Sequence, residues 1–190
     1  MYEAVADPYC HLGSTVLRNV PGLTSQAALD RFEAIATARR FLEPMPVGRW
    51  GVRHFCAVHR HIFQDVYAWA GRPRTVRIGK GGSLFCYPEH IPAELRRVFG
   101  DLKEADFLRG RDRSGFAAGA AHVLAELNAI HAFRDGNGRA QLAFTALLAA
   151  QAGHGLDLER LDPPAFLRAM IASFHGDERP LAANLAALIP

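Results

Sequence analysis

Apolar residues in this chain recur at three- and four-residue spacing in one segment after another, and give way to alternation at a single place, the stretch from Val76 to Tyr87. Side chains spaced that way share one face of a helix, so the pattern commits the chain to packed helices. Leu29, Phe32, Ile35 and Ala36 mark a first helix after a cap at Thr24 or Ser25, ended by Pro44 and Pro46. Phe55, Val58, Ile62 and Val66 mark a second, from about Trp50 to Trp69. Further helices are expected from Pro92 to Leu108 and from Ser114 to Ile130, the latter burying Phe116, Ala120, Val123, Leu127 and Ile130. Another runs from Arg139 to Ala152, one opens at Asp162 with Pro163 in its first turn, and a short one follows Pro180.

In the alternating stretch Val76 and Ile78 are interleaved with polar residues, Gly79-Lys80-Gly81-Gly82 turns, and Leu84 to Tyr87 is apolar and partly aromatic. That reads as a β-hairpin closed by Pro88. The expected fold class is all-α, a helical bundle carrying one β-hairpin, and 190 residues fit a single domain, 1–190.

A formal charge of +3 is too small a surplus to argue for nucleic acid, and the paired arginines Arg39/Arg40 and Arg96/Arg97 read as solvated helix faces. Cys10, Cys56 and Cys86 are widely spaced and suggest neither a disulfide framework nor a zinc site, which fits a reducing cytoplasm. His54, His59 and His61 share no face with carboxylates in a metal-ligand pattern. The first residues lack the basic stretch and apolar core of a signal peptide, and the longest mostly apolar run, Leu142 to Ala150, is well short of the roughly 20 residues a membrane span needs. No membrane partner is expected.

Chemistry concentrates in His131-Ala132-Phe133-Arg134-Asp135-Gly136-Asn137-Gly138-Arg139, where one helix ends and the next begins. Gly136, Asn137 and Gly138 tolerate positive φ or close approach, so successive N–H groups can point at one ligand. The helix that follows adds free N–H donors and the positive end of its dipole, which makes phosphate the natural occupant. Arg139 supplies a fork of donors matched to phosphate oxygens, and Asp135 suits a hard cation such as Mg²⁺. His131, whose imidazole titrates near neutrality, is the candidate base for an attacking hydroxyl, with Phe133 turned inward as an anchor.

The segment resembles the signature of the Fic family (filamentation induced by cyclic AMP), His-Pro-Phe-x-Asp/Glu-Gly-Asn-Gly-Arg-x-x-Arg. The likeness extends to Asp7-Pro8-Tyr9, Gly13 to Asn19, Phe63 to Gly71 and Glu126 to Ile130. The resemblance implies an α-helical bundle with a hairpin flap and transfer of AMP from ATP, with Mg²⁺, to a Tyr, Thr or Ser hydroxyl of a target protein. It implies His131 as the base, Asp135 as the Mg²⁺ ligand, and Phe133, Asp135, Gly136, Asn137, Gly138 and Arg139 as the donor site. Ile78, Lys80, Gly81, Gly82 and Phe85 would form the flap that docks the target strand by main-chain hydrogen bonds. A small antitoxin partner is compatible with it.

Two positions depart from the signature. Ala132 replaces proline, removing stiffness but no catalytic group. Leu142 replaces the second arginine, which in the family meets the γ-phosphate or an inhibitory glutamate. Losing a charged hydrogen bond of about 1.5 to 3 kcal/mol costs roughly ten- to a hundredfold. Three readings therefore stand: an AMP transferase, a transferase with another phosphate donor such as a different nucleotide or CDP-choline, and a non-catalytic phosphate binder.

Overall fold

The computed structural model describes residues 7–80 and 83–190. Among these, seven α-helices carry the fold: α1 (Gln26–Phe41), α2 (Val52–Phe63), α3 (Ile91–Glu104), α4 (Arg113–Ile130), α5 (Asn137–Gln151), α6 (Pro163–Phe174) and α7 (Arg179–Leu188). Two two-residue strands, β1 (Gly79–Lys80) and β2 (Ser83–Leu84), pair antiparallel with Gly79 opposite Leu84 and Lys80 opposite Ser83. The Phe85 N–H extends the pairing to the Ile78 carbonyl at 3.2 Å. Gly81 and Gly82 of the expected turn lie outside the described residues.

The centre of the bundle is α4, which touches α3, α5, α6 and α7. The sequence pattern marked one buried stripe on it; Ala117, Ala121, Leu124 and Ala125 are buried as well, so a second face is covered. Its alanines let four neighbours approach closely, while Phe116 and Leu127 fill the space between them. Asp112 caps the helix by accepting from the Gly115 N–H at 2.7 Å, and Asp162 caps α6 by accepting from Ala165 at 3.1 Å.

Three expectations need correction. α2 ends at Phe63 and not at Trp69, because the chain turns back on the helix: Gly71 (φ 78) packs so tightly on it that a Cβ there would lie 2.7 Å from the Cys56 carbonyl oxygen and the Arg60 side chain. α3 stops at Glu104, where Asp106, Phe107 and Leu108 take positive φ and reverse the path. On α1, Leu29 and Ala36 are buried as expected, but Ile35 is 66% exposed. The helix is rotated so that Glu33 and Thr37 face inward, a choice made by their polar partners on α5 and after α2 and not by apolar spacing.

Candidate active site

α4 ends in a left-handed residue, His131 (φ 48), whose N–H closes on the Leu127 carbonyl at 3.0 Å. Its Nδ1 lies 3.3 Å from the Asn128 carbonyl oxygen. That oxygen only accepts, so the geometry assigns a proton to Nδ1. The Phe85 ring stacks on the imidazole, centroids 3.8 Å apart at 14°, and Phe174 meets Phe85 edge-on at 5.6 Å. Phe85, expected on the flap, is only 9% exposed and lies directly against His131.

Six residues on, α5 begins at Asn137, two residues earlier than the periodicity suggested. Of Gly136, Asn137 and Gly138 only Gly136 adopts positive φ (77), and a Cβ there would fall 2.4 Å from the Phe63 ring, so glycine is required twice over. Asn137 is buried; its side chain accepts from the Phe133 N–H at 2.9 Å and donates to the Phe133 carbonyl at 2.8 Å. Phe133, also wholly buried, packs against Phe55 and His59 with ring centroids 5.2 and 3.7 Å away. Both therefore shape the loop from below. The N–H groups of Asn137, Gly138 and Arg139 form the first helical turn, which has no carbonyl one turn earlier to meet. Nothing lies within 4 Å of a Cβ position built on Gly138, so an anion has room to approach them.

Arg139 is held from α1. Its guanidinium pairs with Glu33, lies 3.4 Å from Thr37 Oγ1 and sits over the Phe63 ring at 4.6 Å. Tyr67 donates its hydroxyl to the other Glu33 oxygen. Burial and the Glu33 carboxylate push the Tyr67 phenol well up, so it remains a donor. One edge of the arginine fork is thus fixed before any ligand arrives.

His59, one of the histidines without a metal pattern, holds the loop from the other side. Gly71 donates its N–H to Nδ1 at 2.9 Å, so Nε2 carries the proton and donates to the Asp135 carbonyl at 2.9 Å. Burial, against the opposing pull of the Asp135 bond and with a smaller push from Arg139, lowers its pKa from 6.5 to about 4. The neutral ring stacks on Phe133 and Phe63. The Asp135 carboxylate is exposed and accepts from the Gly136 N–H. Among the described residues no three His, Cys, Asp or Glu side chains converge on a metal position. A lone carboxylate still suits Mg²⁺, which takes one or two protein carboxylates and completes its shell with water and substrate phosphate.

The profile of the Fic/DOC family matches residues 50–149, which include the second helix, the strand pair and the whole His131–Arg139 segment. This chain belongs to the Fic/DOC family. Among Fic/DOC relatives, "Probable protein adenylyltransferase y4lH" of Sinorhizobium fredii is 49% identical, the match covering 99% of this chain and 98% of that protein. "Probable protein adenylyltransferase Fic" of Escherichia coli is 33% identical over 90% of this chain and 86% of its own length. The N-terminal Fic domain of a VirB-translocated Bep effector protein from Bartonella quintana, solved with bound ADP, superposes with a TM-score of 0.85 at 27% identity, covering 96% of this chain and 94% of that one. The helical architecture is therefore a Fic fold.

Around the His131–Arg139 segment the structure groups His131, Phe133, Asp135, Gly136, Asn137, Gly138 and Arg139 with Phe85. It adds Glu33, His59, Phe63, Tyr67 and Arg74, which the sequence reading did not assign. The signal for Glu33 was its position one turn from Thr37, inside a helix whose apolar stripe was incomplete. Leu142 is partly buried on α5, three residues beyond Arg139.

Proposed function

We propose that this chain is a protein adenylyltransferase that moves AMP from ATP onto a Tyr, Thr or Ser hydroxyl of a target protein, residues 1–190 acting as one Fic-like unit. The observation that carries the reading is the placement of His131, at the end of α4, on the loop that leads directly into the first turn of α5 and Arg139. Relatives across the whole length that are named adenylyltransferases support it.

In this reading the target hydroxyl gives its proton to His131 Nε2 as its oxygen attacks the α-phosphorus of ATP. An oxygen–phosphorus bond forms to the target, the bond from the α-phosphorus to the bridging oxygen breaks, and pyrophosphate leaves. The N–H groups of Asn137, Gly138 and Arg139 and the Arg139 fork bind phosphate oxygens, where donors preset in position stabilise charge as it shifts to the leaving group. Asp135 is the residue that would hold Mg²⁺, which when bound supplies charge neutralisation on the phosphates. The segment from Ile78 to Phe85, with Lys80, Gly81 and Gly82 among its target-docking residues, would act as the flap: a short strand pair can dock an extended target segment through its main chain.

Leu142 favours a second reading, a transferase with another phosphate donor, because an alkyl side chain cannot meet a γ-phosphate. No described helix is long and apolar enough to cross a membrane. We place the reaction in the cytoplasm, on protein and not nucleic acid, with a small antitoxin as a compatible partner. The test is intact-mass analysis of candidate targets, and of the chain itself, after incubation with Mg²⁺ and ATP, GTP, UTP, CTP or CDP-choline in turn. A gain of one AMP with ATP is expected; a gain with another donor alone, or with none, refutes the adenylyltransferase assignment.

A further inference from the structure

Arg74 is 2% exposed, and among the described residues no carboxylate pairs with it. Its guanidinium instead donates to four main-chain carbonyls: Nε to His131 at 2.8 Å, Nη1 to Val76 at 2.6 Å, and Nη2 to Cys86 at 2.6 Å and Ile130 at 3.2 Å. Its own N–H donates to the Ala132 carbonyl at 2.8 Å, and the Cys86 N–H donates to Ala129 at 3.2 Å. Burying a cation costs several kcal/mol unless its donors are met. A residue kept there serves the groups it binds.

Those groups lie on two sides of one imidazole. Ile130 and His131 are the end of α4, where orphaned carbonyls need donors and where His131 sits in a left-handed conformation that L-residues adopt at a cost. Cys86 follows Phe85, the ring stacked on His131, and Val76 lies three residues before β1 on the segment that leads into the strand pair. We propose that Arg74 is a positioning residue for the transfer reaction, one planar cation that locks the main chain of the base to the main chain of the target-docking flap. This rests on the proposed roles of His131 and the flap. A planar fork can reach carbonyls in several directions at once, as a single ammonium cannot. With Arg74 in place, target hydroxyl and base keep one register; a shift of about 1 Å in such a register can cost on the order of a hundredfold in rate.

The test is Arg74→Lys in the full chain, read by target transfer, by binding of a non-hydrolysable ATP analogue, and by amide hydrogen exchange. We expect kcat to fall about ten- to a hundredfold with analogue affinity within about threefold of wild type. Exchange should quicken together in peptides covering 84–88 and 129–133 and stay unchanged at the start of α5. Should the Lys variant not fold, Phe85→Leu removes the ring on His131 and leaves the cation intact; kcat falls with analogue affinity retained. Wild-type kcat in whichever variant folds, or analogue affinity lost in step with rate, overturns the coupling. Absence of transfer by the wild-type protein overturns instead the reading on which it rests.

Discussion

Lowering the pH should unlock the loop that carries Asp135, and His59 is the group through which it does so. In the folded chain its pKa is pushed from 6.5 down to about 4, mainly by burial, whereas the unfolded chain binds the proton near 6.5. Between those values the unfolded state holds more protons than the folded one. The His59 contribution is therefore fully present above about pH 6.5 and is lost progressively as pH falls towards 4. By pH 4.5 the loss is about 2.5 kcal/mol, a large share of the roughly 5 to 15 kcal/mol that holds a domain together. Protonation also turns Nδ1 from acceptor to donor, facing the Gly71 N–H that it accepts from at 2.9 Å. The perturbation that isolates this is His59→Gln, whose amide can still donate towards the Asp135 carbonyl and accept from Gly71 but does not titrate. It should cost about 1 to 2 kcal/mol at pH 7 through lost stacking on Phe133. Urea unfolding followed by circular dichroism at pH 7, 6, 5 and 4.5 should then show the stability difference shifting by about 2.5 kcal/mol in favour of the variant, so that the two curves cross as pH falls, since every other titrating group is common to both. Parallel stability curves would refute the reasoning.

His131→Ala should lower transfer by about 10² to 10⁴-fold while leaving binding of a non-hydrolysable ATP analogue near wild type, and near-native turnover in this variant sinks the assignment of the base. Asp135→Ala should abolish the Mg²⁺ dependence of transfer; wild-type activity that persists in excess chelator contradicts the metal role. Leu142→Arg, one turn beyond Arg139, should raise AMP transfer from α-labelled ATP about tenfold or more if ATP binds with its γ-phosphate over that turn. A flat or reduced signal in the folded variant counts for another donor.

The sequence alone determined what depends on neighbours along the chain. Helical spacing located all seven helices to within a few residues at most ends, because a buried stripe is written locally. The junction from His131 to Arg139 was legible as a helix end, a glycine turn and a helix start for the same reason, since those features are written in consecutive positions. Gly136 fits that account, although its second constraint, the Phe63 ring, could be seen only in three dimensions. What tertiary structure decided is how the polar groups are held. Arg139 meets Glu33 from 106 residues away, His59 reaches the Asp135 carbonyl across 76, and Arg74 gathers carbonyls from 2 to 57 residues distant. Main-chain carbonyls carry no residue identity, so a side chain that serves them leaves no pattern in the sequence. Only the packing of α1 on α2, and of α2 and α4 on α5, brings donor and acceptor within reach, and burial then makes each unmet bond costly enough to fix the site's geometry.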